Sequence, residues 1–203
     1  LKPLQFHREE AMIQPSVEEM CYGVTCKEDE ETLVSRAFLY GDEKDLGVFA
    51  LAQVVNDLAT RGAQTVGASV QIMLPPYAYE SRLKTMMEFI ERAASAHAVQ
   101  VMGAKAKVSP AIAKAIVHMN GVGVLKKGTL LQSNMGSANQ DIVLLKWIGL
   151  EGTFRVMREK EEESKHLRQL YEQTKASLSE LSARFKIYPF AWPPAPYQIA
   201  SWT

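Results

Sequence analysis

Between residues 32 and 125 the sequence alternates between two periods, and that alternation limits the folds open to it. TLVSRAFLY (32–40) is rich in β-branched and aromatic residues and reads as a strand. Gly41-Asp42 then reads as a turn, and LGVFALAQVVNDLATRGA (46–63) as one mostly small, apolar helix, with Gly62 as the residue of positive φ that ends it. QTVGASVQIML (64–74) reads as a second strand, stopped by Pro75-Pro76. In YESRLKTMMEFIERAASAH (79–97), Leu83, Met86, Met87, Ile90 and Ala94 recur at helical spacing. VQVMGAKAKV (99–108) and AIAKAIVHMNGVGVL (111–125) read as third and fourth strands. Strands alternating with helices predict an α+β (α/β) sheet with helices on a face.

The first helix poses a question of function. Asn56 and Asp57 lie side by side near its C-terminal end, where the helix dipole disfavours a carboxylate. Either the pair is solvated or hydrogen-bonded to local backbone, or it serves a ligand. Lys105 and Lys107, two apart on a strand, point to one face, as a solvated surface or as an anion site. His97, at a helix end, sits where a cation is favourable.

Composition narrows the function classes. Lys and Arg balance Asp and Glu at 23 each, so no electrostatic case exists for nucleic acid or an anionic membrane. No apolar run approaches the roughly 18 residues of a membrane span, and LKPLQFHREEAM lacks the apolar core of a signal peptide. Cys21 and Cys26 form no disulfide framework and, with histidines at 7, 97, 118 and 166, no metal set. A cytoplasmic protein with free thiols is expected.

Beyond the alternating region, DIVLLKWIG (141–149) reads as a buried strand. The charged segment 154–185 carries Leu167, Tyr171, Thr174, Leu178, Leu181 and Phe185 at spacings of four and three. It reads as a long helix, lying on its own domain or packing on a second subunit. YPFAWPPAPYQIASWT (188–203) reads as an extended proline-rich arm. The expected division is a domain over 1–153 and an appendage over 154–203.

Four stretches together resemble the N-terminal domain of the aminoimidazole-ribonucleotide (AIR) synthase, or PurM-like, superfamily. They are DLGVFALAQVVNDLATRGAQTVGASVQIMLPP (45–76), the helix 79–97, NGVGVLKKGTLL (120–131) and NQDIVLLKWIGLEGT (139–153). The nearest branch is similar to the hydrogenase maturation factor that dehydrates carbamoyl groups. The resemblance implies a mixed four-stranded sheet with helices on one face, two such sheets pairing in a barrel-like dimer. It also implies ATP with Mg²⁺, and it matches the family's Asn-Asp to Asn56 and Asp57, with Asp57 as the metal ligand.

The chain departs from that pattern. The family's acidic motif, roughly G-x-D-A, is missing from VEEMCYGVT (17–25), and its Thr-Asp pair from CKEDEETLVSRAF (26–38), where it would fall near Glu31-Thr32 or Ser35-Arg36. The branch's GGDTKV reads GAKAKV (103–108), with Lys105 for the aspartate and Lys107 retained. Mg²⁺ needs hard oxygen ligands, and a lysine among them repels it. Only 38 residues follow Lys165 (203 minus 165), too few for the family's C-terminal domain, and no G-x-G-x-x-G or P-loop pattern occurs.

The expectation is a degenerate, non-catalytic relative acting as a dimerising structural or regulatory subunit, paired with itself or with an intact paralogue. ATP and Mg²⁺, implied by the family, are expected to be lost. One alternative is an ATP-dependent maturation or ligase-type enzyme with a divergent site at Asn56, Asp57, Lys105 and Lys107. The other is a metal-independent binder of a phosphorylated ligand through Lys105, Lys107 and Arg36.

Overall fold

The chain divides into two units, residues 1–132 and 133–203. The structure, a computed structural model, describes residues 5–12, 21–42 and 44–131, all in the first unit. The expected strand at 141–149, the helix at 154–185, the arm at 188–203 and the division at 153 lie outside the described residues.

Six elements follow in the order β1 (Glu30–Gly41), α1 (Leu46–Ala59), β2 (Gln64–Leu74), α2 (Glu80–Ala96), β3 (Gln100–Val108) and β4 (Ala115–Lys126). The strands form one mixed sheet in the order β1-β4-β2-β3. β4 runs antiparallel to both neighbours, so β1 and β2 run the same way with β4 between them. β3 joins β2 in parallel through α2, the long crossover that a parallel pair requires.

Helix α1 is the centre of the core. Ten of its 14 residues are buried, from Leu46 to Leu58. It packs on β1, β4 and β2 below and on α2 beside it. Two glycine contacts set these distances. A Cβ on Gly121 of β4 would collide with Val54 Cγ1, and one on Gly47 would collide with Ile90 Cδ1 of α2. The expected stripe of α2 is buried at Met86, Met87, Ile90 and Ala94, with Ala93 added and Leu83 half-buried.

The first helix ends earlier than its composition suggests, at Ala59 rather than residue 63. Gly62 adopts φ +81°, the Gly62 N–H donates to the Ala59 carbonyl at 3.0 Å, and the Ala63 N–H donates to the Leu58 carbonyl at 3.0 Å. That pair of bonds is a Schellman closure, which satisfies the last carbonyls and turns the chain directly into β2. Gly62 thus has the expected role, and residues 60–63 belong to the turn.

Among the described residues, both helices cover one face of the sheet and no helix lies on the other, where Tyr22 covers Gly103. Along β4, Ala115, Val117, Met119, Gly121, Gly123 and Leu125 are buried beneath the helices, while the alternate residues are half-buried on the far side. The register carries this division across the sheet. Phe38 of β1 pairs with His118, Gln71 of β2 pairs with His118 on its other side, and Lys105 of β3 pairs with Gln71.

The N-terminal residues wrap the β3 edge. Glu91 of α2 accepts the Gln5 N–H at 3.0 Å, and Gln100 Oε1 accepts the Arg8 N–H at 2.6 Å. Arg8 also donates to the Ala98 carbonyl at 2.8 Å and forks onto Glu10 through Nε and Nη2. That guanidinium holds the Glu10 carboxyl down to about 2. Tyr22 lies over Gly103, where a Cβ would strike its ring.

Replacing Gly121 with alanine is expected to cost about 1–3 kcal/mol, because the added methyl overpacks the α1–β4 contact. In a Val54→Ala background the same change should cost clearly less, as urea denaturation of the four proteins would show. Equal costs in both backgrounds would mean that α1 does not seat on Gly121.

Candidate functional site

Asn56 and Asp57 occupy the last turn of α1. Asn56 is buried, 7% exposed, and Asp57 is half-buried. Ser35, on the helix-facing side of β1, donates its hydroxyl to Asp57 Oδ2 at 2.9 Å. The Thr60 hydroxyl donates to the Asp57 carbonyl at 2.8 Å. The carboxylate that the helix dipole disfavours therefore has a structural partner, which fastens α1 to the edge strand. Residue spacing does not show this bond, because its partners are 22 positions apart. The one available signal was Ser35's alternation on β1, on the same side as buried Ala37.

Lys105 and Lys107 lie elsewhere. Both are exposed on β3, beside Gln71 and Met73 of β2, on the helix-free face. Their spacing correctly placed them on one side. Arg36, exposed on β1 and paired with Asn120, faces the same way. β1 and β3 are opposite edges of the sheet, three strand spacings or about 14 Å apart. The structure thus brings Arg36, Lys105 and Lys107 to one face and sets Asn56 and Asp57 on the other.

These positions can be tested against the chemistry of Mg·ATP. The ion takes oxygen ligands in near-octahedral geometry, usually carboxylates together with phosphate and water. Of Asn56, Asp57, Lys105 and Lys107, only Asp57 is a carboxylate. It is engaged with Ser35, and the lysines stand across the sheet from it. The four do not fit a Mg·ATP site within one copy of this domain. Among the described residues, no group of three or more His, Cys, Asp or Glu is placed to hold a metal. Cys21 and Cys26 are free thiols, the first exposed and the second half-buried.

His97 corrects an expectation. The C-terminal position favours a cation, but the ring is buried, 6% exposed, and burial lowers its pKa to about 4. Desolvation outweighs the helix dipole here, and His97 is neutral at pH 7.

With this geometry established, comparison with known proteins places the fold. The family described as AIR synthase related protein, N-terminal domain, matches residues 28–125. Residues 28–125 are thus similar to the N-terminal domain of AIR synthase related proteins. Among solved structures, thiamine-monophosphate kinase from Stenotrophomonas maltophilia K279a superposes with a TM-score of 0.52 at 18% identity, over 62% of this chain and 40% of that one. Hydrogenase maturation protein HypE in complex with ATP gives 0.51 at 16% identity, over 59% of this chain and 37% of that one. The chain therefore spans about 40% or less of the length of these neighbours, and at such identities the likeness is one of fold. Comparison with curated proteins returns no match. The mixed four-stranded sheet with helices on one face is the architecture that residues 45–76 and 120–131 implied.

Two measurements follow. Ser35→Ala should destabilise the domain by about 1.5–3 kcal/mol, the value of a hydrogen bond to a charged group, and Asp57→Asn in that background should cost little more. Additive losses in denaturant melts would refute the pairing. For His97, the folded pKa lies below the unfolded value of about 6.5, so the unfolded state binds the extra proton between the two. Stability contributed by neutral His97 is complete above about pH 6.5 and is lost as pH falls towards 4, on the order of 3 kcal/mol in all. NMR titration should place the His97 midpoint near 4, and His97→Gln should flatten that part of the stability profile.

Proposed function

We propose that this chain is a non-catalytic, AIR-synthase-related subunit that works by pairing its sheet with a second sheet of the same kind. The observation that carries this reading is the helix-free face. Val34, Phe38 and Tyr40 project from it 70%, 63% and 65% exposed. Large apolar side chains aligned on one sheet face mark a surface that another protein covers. Two faced sheets normally enclose a core of alternate inward residues. Such a pairing would be a homodimer or a heterodimer with an intact paralogue, since a paralogue presents a surface of the same form.

The non-catalytic part of the reading rests on charge. The position where the resemblance calls for an aspartate is Lys105, exposed on the open face with Lys107. Asp57, the remaining carboxylate, is held by Ser35. In this reading Asn56 and Asp57 secure α1, and Mg²⁺ and ATP are no longer held. The neighbour solved with ATP makes that nucleotide the ligand to test. No described helix is long and apolar enough to cross a membrane, and free Cys21 and Cys26 suit a reducing cytoplasm.

A second reading has one specific observation behind it. Arg36, Lys105 and Lys107 share the open face, so a phosphorylated ligand could be held without metal.

Calorimetric titration separates the two. The first reading expects no heat from ATP, with or without Mg²⁺. Binding that persists in a chelator would replace it with the second, and binding that requires Mg²⁺ would establish a divergent nucleotide site. For the pairing surface, sizing at about 0.5 M salt, where charges are screened beyond roughly 5 Å, should show a dimer. Phe38→Glu should weaken that dimer at least about tenfold, or 1.4 kcal/mol. A monomeric wild type under those conditions would remove the sheet-pairing element.

A further inference from the structure

The open face has an uneven distribution of charge. Its apolar residues lie on β1 and β4, with Val34, Phe38 and Tyr40 fully outward and Ile116, Val122 and Val124 half-buried. Its cations are Arg36 on β1 and Lys105 with Lys107 on β3, the two edge strands, with Lys126 at the end of β4. Between Thr32 and Tyr40, and along the paired stretches of the other three strands, the open-face positions contain no carboxylate. Of the acids at the ends of β1, Glu31 alternates to the helix-facing side, and Glu30 and Asp42 are in ion pairs. Glu30 lies 3.8 Å from Lys27, and Asp42 lies 3.1 Å from Arg82 and 3.8 Å from Lys114. Among the described residues, Arg36, Lys105 and Lys107 are in no ion pair.

A second copy is a poor match for such a face. If two sheets stack with β1 over β1, Arg36 meets Arg36 and the lysines meet the lysines. If they stack with β1 over β3, Arg36 meets Lys105 and Lys107. Either way cationic edges oppose cationic edges, and among the described residues the one carboxylate in register on this face, Glu30, is already beside Lys27. Like charges juxtaposed in an interface select against that partner, while opposite charges select for theirs.

We infer that the natural partner of this face is a sheet with an apolar centre and acidic edge strands, and that the cations on β1 and β3 suppress self-pairing in its favour. The inference rests on the sheet-pairing reading above and adds the partner's charge. Four strands at about 4.8 Å, over nine residues at about 3.4 Å, give at most on the order of 500–600 Å² before side-chain relief, part of it covered by Tyr22 at Gly103, against the roughly 800 Å² per partner of a standard interface.

The test uses the full chain and a charge-reversed form of it as the acidic probe. In Arg36→Glu/Lys105→Glu/Lys107→Glu, apolar Val34, Phe38 and Tyr40 are kept and only the edges change sign. All three positions are exposed, and a melt confirms folding; if the triple variant does not fold, Lys105→Glu/Lys107→Glu serves in its place. Analytical ultracentrifugation at low salt should show wild type and variant pairing at least tenfold more tightly than wild type with itself. Raising the salt should strengthen wild-type self-association and weaken the mixed pair until the two converge. Wild type that self-associates at low salt as tightly as it binds the variant, with no salt dependence, would overturn the inference and leave the sheet-pairing reading intact. No association at high salt, together with no effect of Phe38→Glu, would overturn both.

Discussion

The arrangement depends on the close approach of α1 to β4. Val54 and Leu58 sit on a strip of sheet where β4 presents Gly121 and Gly123, and a side chain at Gly121 would occupy the space that Val54 fills. Because the helix lies so near, its other flank can take α2, with Ile90 against Gly47. A helix buried on both flanks satisfies the core from one side of the sheet. Among the described residues no helix covers the second face. The exposed aromatics of β1 therefore follow from the packing of α1, which draws both described helices to the opposite side.

Most elements were legible because each depends on local period. β2 was readable to the residue, since Pro75 stops it and Gly62 starts the turn before it. α2 followed from Met86, Met87, Ile90 and Ala94. The end of α1 was misplaced because Thr60 and Arg61 are residues that a helix tolerates, and only the backbone bonds of the closure separate residues 60–63 from it. The strand order was not readable from spacing. β4 is last in the described chain yet lies between β1 and β2, and that insertion depends on pairings such as Phe38 with His118 that no local signal encodes. The superfamily likeness implied the mixed four-stranded sheet, but not this order.

The candidate site was legible in part for the same reason. Alternation correctly put Lys105 and Lys107 on one side of a strand. It could not say that Asp57 would lie across the sheet from them, because that depends on which face α1 covers. His97 shows the limit in another form. Its position at a helix end suggests a cation, but position does not report burial, and a buried imidazole loses its proton.

The persistence of Asp57 has an account that needs no metal. A carboxylate in the last turn of a helix loses roughly 0.3–1 kcal/mol to the dipole. A hydrogen bond to a charged group returns roughly 1.5–3 kcal/mol, and the Ser35 hydroxyl makes one at 2.9 Å. The second magnitude exceeds the first, so the fold favours an acceptor at this position as long as Ser35 faces it. An aspartate at the position of Lys105 would have no such local partner: Lys105 lies exposed on the open face beside Gln71. Under the non-catalytic reading proposed above, a residue with a second structural role is retained when the ligand is lost, and one without it is free to change sign. Asp57 and Lys105 differ in that respect, which explains how one chain can keep the acid of its helix while carrying cations on the open face of its sheet.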